Sequence, residues 1–434
     1  MSKKPLAAQS LYFILLTVLI DSIGFGLIIP VMPELLGDLL HEPGGGPVNL
    51  ESREVAESPA TGSGQVTASS AAKWGGYLAF CYAAMHFLFG PLIGNLSDRW
   101  GRRPVLLVSL GALAVDYLIL AYATTLWVLF LGRILTGICG ATFSTANAYI
   151  ADVSDEKNRG KAFGLVGAAF GIGFILGPAI GGFLGGLDVH APFYAAAGMA
   201  FLNMLYGYFV LPESLKEENR RPFSWARANP LGAIRQFSHF GEIRWLLVVS
   251  CMLFFSHVVY PSTWNYHGAD RYGWGSREIG LSLMAFGICS AIVQGGLIGR
   301  ILKKLGERNT AFLGVSCNII AMAGFAFSST GWMLYCWIPL SALGAVATPA
   351  IKSIMSRRVS PQSQGELQGT LSSLQGISNM VGPIVLTQVY DRFAKGLAGF
   401  PFYGSAFLLA GLLLCGAMVP LFWGTSSLRD LDEP

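Results

Sequence analysis

Two acidic side chains, Asp21 and Asp116, lie inside long apolar stretches of the chain. A charge in the middle of a membrane helix costs about 2.5–3.5 kcal/mol on insertion scales, so such residues usually face the protein interior and act there. Burial disfavours the charged form of a carboxyl group, which lets the group take up and release a proton. We therefore predict that both residues carry protons. The alternative for each is a carboxylate hydrogen-bonded between helices.

Two histidines and one arginine add further groups of this kind within apolar stretches. His86 and His257 titrate near neutral pH and are further proton-carrying candidates, although a neutral, packed imidazole is an equal alternative for His86. Arg133 could pair with a carboxylate or hold an anionic group of a substrate. It begins a small, polar stripe at helical spacing that should face a central cavity. The other members of the stripe are Gly137, Gly140, Ser144 and Asn147.

The second half of the chain offers polar residues at helical spacing instead of charges. They suit a roomy, largely apolar cavity with a few hydrogen-bonding groups. For each of them, a hydrogen bond between helices is at least as good an interpretation as contact with a substrate. The candidates are His257, Tyr260 and Trp264, then Ser290 and Gln294, and finally Gln368, Ser372, Gln375 and Asn379.

The composition indicates which elements must position these residues. Of the 434 residues, 53% are hydrophobic and only 12% are charged, against about 25% charged in soluble domains. So few charges exclude a cytosolic enzyme, a nucleic-acid binder and a disordered chain. The seven cysteines lie in apolar stretches without a CxxC or His/Cys cluster, so we expect no disulfide, metal or cofactor. Nucleotide-binding and hydrolase motifs are also missing from the sequence, which argues against an enzyme.

Twelve stretches each supply the roughly 20 mostly apolar residues that a membrane-spanning helix needs. Backbone groups in hydrocarbon must be paired within the segment, so the stretches are helices. The first stretch is too long for the apolar part of a signal peptide. The approximate limits are 11–36, 74–95, 105–123, 126–150, 162–185, 191–212, 245–265, 279–302, 310–328, 332–355, 367–390 and 401–424.

The basic residues test this count, because cytoplasmic loops carry an excess of Lys and Arg. With both termini in the cytoplasm, 22 of the 29 lie inside, 6 lie outside and Arg133 lies within a span. A missed helix would invert the sign of every later loop. We therefore predict that the loop 37–73 is outside and that the linker 213–244 is inside.

An internal repeat relates the two halves of the chain. The segment Gly94–Arg103 has a weaker copy at Gly299–Arg308, 205 residues later. The same offset relates Gly164, Gly171 and Gly177-Pro178 to Gly369, Gly376 and Gly382-Pro383. We predict an all-α integral membrane protein of twelve helices in two pseudo-symmetric six-helix bundles, 1–212 and 245–434. A repeat of this kind places the substrate path between the halves.

The segment Gly94–Pro104 (GNLSDRWGRRP) resembles the signature loop of the major facilitator superfamily. The segment Gly171–Gly182 (GIGFILGPAIGG) resembles the fifth-helix motif of its drug:proton antiporters. Further segments resemble the tetracycline-exporter family: LIDSIGFGLIIPVMPELL, LAVDYLILAY, LGRILTGICGAT and GRILKKLGE. The resemblance implies a monomer in the bacterial inner membrane that exports amphipathic small molecules in exchange for protons by alternating access. The partners of such a protein would be this substrate, protons and the lipid bilayer. Nucleic acid would not be a partner.

The resemblance also implies a latch at the loop between spans two and three. Asp98 would face the N-terminus of span eleven, where the helix dipole favours a carboxylate, and Arg102 would reach Asp152. The latch would hold the cytoplasmic side shut. The alternative is that the basic residues of the loop serve topology alone. The gating motif comprises Gly94, Asp98, Arg99, Gly101, Arg102, Arg103 and Asp152, and the span-five motif comprises Gly173, Gly177, Pro178, Gly181 and Gly182.

Three positions depart from the tetracycline-exporter pattern. The carboxylate of span nine is replaced by Asn318, the histidine of span eight by Ser290, and a glutamine of span two by His86. Proton coupling would therefore depend on Asp21 and Asp116, with His86 and His257 as further candidates. The same departures weaken the case for a metal chelate of tetracycline as the substrate. An uncoupled facilitator or importer of a small metabolite is the alternative. A membrane receptor or scaffold is a third class.

Overall fold

The computed structural model describes residues 4–40, 68–140, 142–154, 156–225, 241, 243–360, 363–396 and 401–426. Most of the predicted loop 37–73 and much of the linker 213–244 lie outside these ranges. Within them the regular structure is helical, and ten helices are long and apolar enough to cross a membrane. The prediction of an all-helical membrane protein is therefore confirmed, while the count of twelve spans stays a prediction.

The helices are numbered here along the chain. The first half contains α1 (Lys4–Ile28), a 3-10 turn (Ile29–Val31), α2 (Met32–Leu40), α3 (Ala68–Trp100), α4 (Arg102–Ala121), α5 (Leu126–Cys139), α6 (Thr142–Val153), α7 (Glu156–Gly185) and α8 (Ala191–Val210). The second half contains α9 (Arg244–His257), α10 (Val259–Tyr272), α11 (Ser276–Ile292), a π turn (Val293–Leu297), α12 (Ile298–Phe327), α13 (Gly331–Gly344), α14 (Ala347–Arg357), α15 (Gln364–Ala394) and α16 (Ser405–Thr425).

The break between α1 and α2 follows from two prolines, Pro30 and Pro33. Proline has no backbone N–H, so Pro33 cannot donate to the carbonyl of Ile29 four residues earlier. That carbonyl accepts a hydrogen bond at 2.9 Å from Nδ2 of Asn265, which lies in the second half of the chain. The interruption of the first span thus creates a polar contact between the two halves.

The 205-residue repeat is visible in the backbone. Gly101 and Gly306 occupy equivalent positions and both have a positive φ, 108° and 73°. Side chains disfavour this conformation, which explains why glycine stands at both places. The equivalent prolines Pro178 and Pro383 both lie inside helices, α7 and α15. These shared features support an internal repeat.

Two helix pairs join the halves, since α3 packs on α15 and α7 packs on α11. At one end these pairs are in tight contact: a Cβ added at Gly182 would lie 2.5 Å from the Ser276 carbonyl oxygen and 3.0 Å from the Gly280 Cα. The other end, which we call the linker end, is where residues 211–225 lie. There, a Cβ at Gly94, or at Gly369, would meet nothing within 4 Å. The halves therefore pack tightly at the opposite end, whereas these two glycines at the linker end face open space.

Candidate functional site

A cavity of about 540 Å³ lies between the halves and is lined by α1, α3, α5, α10 and α15. Its volume is within the range of small-molecule sites, and most of its wall is apolar. Among the lining side chains that the structure describes, the guanidinium of Arg133 is the one permanent charge. The polar lining residues are Tyr82, His86, Arg133, Ser262, Asn265, Tyr266, Ser372, Ser373 and Asn379.

Behind the cavity wall, Arg133 pairs with Asp116. A guanidinium nitrogen of Arg133 donates to Oδ2 of Asp116 at 2.7 Å, and the carboxylate is fully buried while Arg133 is 18% exposed. The other oxygen of Asp116 has no hydrogen-bond partner among the described residues. A buried charge is tolerated when it is paired with an opposite charge. Removing one partner leaves the other charge buried without a partner, which destabilises the fold. The pair therefore couples a buried acid to a cation that faces the cavity.

Asp21 lies on α1, where it is half-buried. The hydroxyls of Tyr82 and Tyr117 lie within electrostatic reach of Asp21, Asp116 and Arg133. The ring of Tyr82 in turn stacks on His86 with centroids 5.9 Å apart. Both aspartates that the sequence singled out thus share Tyr82 and Tyr117 as neighbours, and Tyr82 also lines the cavity. We call Asp21, Asp116 and Arg133 together the charge cluster.

Three polar candidates of the second half form a separate group. Tyr260 shares a hydrogen bond with Ser341 at 2.5 Å, and its ring centroid lies 6.2 Å from that of His257. Asn318 is buried and donates from Nδ2 to the Gly344 carbonyl at 3.0 Å. An amide therefore ties two helices together where the family resemblance implies a carboxylate.

The remaining candidates divide between the cavity and other surroundings. Asn379 and Ser372 line the cavity, whereas Gln375 and Gln294 are exposed and do not line it. The Ser290 hydroxyl is buried and has no hydrogen-bond partner in the described part of the chain. Asn147 is half-buried on α6 and does not line the cavity.

Several lining residues are missing from the sequence prediction, above all Tyr82, Asn265 and Tyr266. One signal was present, because the run Ser262–Asp270 is unusually polar for a membrane span. The contact of Asn265 with Ile29 joins positions 236 residues apart, and no local pattern announces such a contact. From the sequence alone, Tyr82 and Tyr266 cannot be told apart from tyrosines at the membrane interface or in the packed interior. The positions of the neighbouring helices show that they line the cavity.

The loop Gly94–Pro104 forms an ion-pair chain at the linker end. Arg102 donates to Asp98 at 2.6 Å and, through Nε, to Asp152 at 3.0 Å. The side chain of Arg99 is exposed. Asp98 thus bonds a residue of its own half, and its position at the N-terminus of span eleven stays a prediction.

Glu213, which contacts the loop Gly94–Pro104, is missing from the sequence prediction. Its carboxylate accepts from the backbone N–H groups of Arg102 at 2.8 Å and Arg103 at 3.1 Å. These are the first N–H groups of α4, which lack helical partners and favour a negative charge. Ser214 then donates to Asp152 at 3.1 Å. The start of the linker is therefore bound to the latch.

Substitution Asp98→Asn is expected to lower turnover about two- to fivefold, the effect of a partly exposed ion pair worth up to about 1 kcal/mol. The variant keeps the volume of the side chain, so folding and expression should be largely unchanged. Initial transport rates in proteoliposomes give the measurement. The exposed Glu218, which pairs with Lys216 on the linker, provides a matched charge-removal control as Glu218→Gln. Full transport by Asp98→Asn would mean that the loop serves topology only.

The span-five motif places its small residues against two different helices. Cβ atoms added at Gly173, Gly177 and Gly181 would collide with α1, at Leu19–Ile23, Ile23–Gly26 and Leu27. Pro178 packs on Gly26 of the same helix. Gly182 instead meets α11 of the other half. Small residues allow such close approach of helices in membranes, so the motif joins α7 to both halves.

Comparison with known proteins identifies the class of molecule. A family model described as "Major Facilitator Superfamily" matches residues 14–383. The "Tetracycline resistance protein, class C" of Escherichia coli is 38% identical over 89% of this chain and 91% of its own length. The class G protein of Vibrio anguillarum is 37% identical over 91% of this chain and 93% of its own. The chain therefore belongs to the major facilitator superfamily and, within it, to the family of the tetracycline resistance proteins.

A solved structure agrees with this fold. A bacterial homologue of the human lysosomal transporter Spinster, described as inward-facing and unoccupied, superposes with a TM-score of 0.75. It is 15% identical and the match covers 99% of each chain. The resemblance that the motifs indicated is confirmed, and the chain is a transporter of this family. Its relatives are transporters and not enzymes, which fits the expectation from the sequence.

Proposed function

We propose that the protein exports amphipathic small molecules of the tetracycline type in exchange for protons, by alternating access of the central cavity. The observation that carries this proposal is the position of the Asp21–Asp116–Arg133 cluster. Arg133 of this cluster lines a cavity between two halves that pack tightly at the end opposite the linker. A carrier of this kind needs titratable groups that lie close to the substrate site and can exchange protons with each side of the membrane in turn.

The charge of the cluster suggests how protons and substrate exclude each other. With both aspartates ionised, Asp21, Asp116 and Arg133 sum to one negative charge; with both protonated, they sum to one positive charge. A substrate in the cavity would experience this change of charge, because few other charges lie nearby and the protein interior screens charge weakly. Proton uptake would therefore expel a substrate that presents a positive group to the cavity, and proton release would admit one.

Twelve spans and a cytoplasmic linker end belong to this proposal. The continuous segment Ser276–Phe327 has 52 residues, which at about 1.5 Å per residue is far longer than one bilayer crossing. It is broken at Gly306, which supports two spans. Helix α15 has 31 residues, enough to cross, although its polar face lowers its hydropathy. The excess of Lys and Arg at the linker end favours the cytoplasm for that side.

Substrate flux in proteoliposomes tests the proposal. Tetracycline and a small panel of amphipathic drugs are supplied with and without an imposed pH gradient. We expect substrate to accumulate against its own gradient only when protons can flow in the opposite direction, and to leak back when a protonophore is added. Flux that ignores the pH gradient would replace the antiporter by the uncoupled facilitator.

A further inference from the structure

Glu34 on α2 is an acidic residue outside the charge cluster that lies where the two halves pack. Its Oε2 accepts a hydrogen bond at 2.9 Å from the hydroxyl of Ser276, the first residue of α11 in the second half. Ser276 is buried, and its atoms are among those that a Cβ at Gly182 or Gly185 would meet. A titratable side chain is therefore part of the tight contact at the end opposite the linker.

The N-terminus of α11 also holds a carboxylate of its own half. Glu278 accepts from the backbone N–H of Gly275 at 2.9 Å and so caps this helix. The charged groups that act on Glu34 are this Glu278 and Asp38, which lies one helical turn further along α2. Both are negative. The packing of the halves therefore brings Glu34 within electrostatic reach of an acid from the other half.

The remaining charged groups around Glu34 do not neutralise it. In the described part of the chain Glu34 forms no ion pair. His267 on α10 bonds the Tyr403 carbonyl at 3.1 Å. Asp270 on the same helix accepts from the Tyr390 hydroxyl at 2.9 Å. The basic residues at this end of the neighbouring helices are Lys73, Arg271 and Arg277, and all three are exposed.

The hydrogen bond between the halves can survive protonation of Glu34, whereas the repulsion cannot. A neutral carboxyl can donate to the Ser276 hydroxyl, and that hydroxyl lies 3.3 Å from a second acceptor, the Pro30 carbonyl. An ionised Glu34 is half-buried against Glu278 when the halves are packed, and both burial and a like charge oppose ionisation. Closure is therefore favoured more strongly when Glu34 is neutral. Acid stabilises the closed end, and this stabilisation is lost as the pH rises and Glu34 ionises.

We propose that Glu34 and Ser276 form a proton-sensitive contact that closes the outer end of the transporter more firmly when the outside is acidic. In the repeat Ser276 corresponds to Ala71, which has no hydroxyl, so the contact belongs to one helix pair and not to the repeated fold. A carrier that has released its substrate outside would then close more readily once outside protons reach Glu34. The inference rests on the alternating access and the orientation proposed above.

The test measures the separation of the halves at the end opposite the linker. Spin labels are attached to cysteines introduced at Leu187 and Trp332, which are exposed on the first and the second half. The full-length protein otherwise lacks its seven native cysteines and is placed in lipid nanodiscs. Pulsed EPR gives the ratio of short to long distances. Lowering the pH from about 8 to about 5 should raise this ratio about two- to fivefold, as for loss of one repulsion between partly exposed charges.

Three variants assign the response to a residue. Glu34→Gln should keep the high ratio at both pH values. Glu278→Gln keeps a side chain that can cap α11 and removes the facing charge, so it should raise the ratio at high pH and flatten the response. Asp188→Asn is the matched control, because Asp188 lies at the same end and bonds backbone N–H groups of its own half; its response should equal that of the unsubstituted protein. A full pH response in Glu34→Gln, or an equal loss in Asp188→Asn, would overturn the proposal.

The charge cluster is separated from Glu34 by repeating the measurement in Asp21→Asn/Asp116→Asn, where neither aspartate of the cluster can titrate. The effect of Glu34→Gln on the pH response should persist in this background. Its disappearance would assign the response to the charge cluster and overturn the proposal. The distances depend on neither substrate flux nor a proton gradient, so failure of this contact and failure of the antiporter give separate results.

Discussion

The double variant Asp21→Asn/Asp116→Asn is expected to lose all accumulation of substrate against its gradient, while downhill exchange persists with weaker apparent affinity. Asp116 pairs with Arg133, Tyr117 lies within electrostatic reach of both aspartates, and Asn318 on α12 cannot titrate. Asparagine preserves the shape of each side chain, so the cavity remains. The cluster would then hold a fixed positive charge. Flux in proteoliposomes with and without a pH gradient, at several substrate concentrations, separates coupling from binding.

Stability must be controlled in this experiment, because breaking a buried ion pair by removing one partner costs about 3–5 kcal/mol. Arg133→Gln would strand Asp116, which is fully buried. The combination Asp116→Asn/Arg133→Gln removes both charges and should recover much of the lost stability without recovering coupling. His86→Gln should have a small effect. If the double aspartate variant still concentrates substrate, the proton site lies elsewhere, and His86 or His257 is examined next.

Substitution Gly182→Val is expected to abolish transport and to hold the end opposite the linker open. A Cβ at Gly182 would lie 2.5 Å from the Ser276 carbonyl oxygen and 3.0 Å from the Gly280 Cα. These are backbone atoms of the other half, which cannot move aside as a flexible side chain could. The measurement is transport together with labelling, from the side opposite the linker, of a cysteine introduced at Ser373, which lines the cavity. This labelling should become faster.

The same helix provides the control for this variant. A Cβ at Gly171 would meet nothing within 4 Å, so Gly171→Val should transport normally. Retention of transport by Gly182→Val would show that the opposite end need not close tightly during the cycle. Loss of transport in both variants would point to a general intolerance of bulk in α7.

The membrane helices could be predicted because lipid leaves few alternatives: an apolar run of sufficient length must pair its backbone groups within itself. Where that run is polar on one face the signal weakens. Helix α15 carries Gln368, Ser372, Gln375 and Asn379 at helical spacing, and all four side chains are exposed in the structure. Of these four residues, Ser372 and Asn379 line the cavity, whereas Gln368 and Gln375 do not.

Contacts between distant segments could not be predicted. Glu213 occupies the N-terminus of α4 because the chain returns to that place after α8, at a separation of 111 residues from Arg102. Arg102 likewise joins Asp98 to Asp152, 54 residues further along the chain, through a contact that local spacing does not announce. For Asn318, the sequence alone shows that an amide replaces the carboxylate that the resemblance implies. The sequence does not show that this amide donates to the Gly344 carbonyl.

The carbonyl of Ile29, which Pro33 leaves without a helical donor, has a pharmacological consequence. It is occupied by Asn265 while the end opposite the linker is closed. If that end opens as proposed, one acceptor and one amide become exposed at the cavity's edge, and water must solvate both. A compound with a donor and an acceptor at matching spacing could bridge them and wedge the two halves apart. Such an inhibitor would act from the exit side, without being carried across the bilayer.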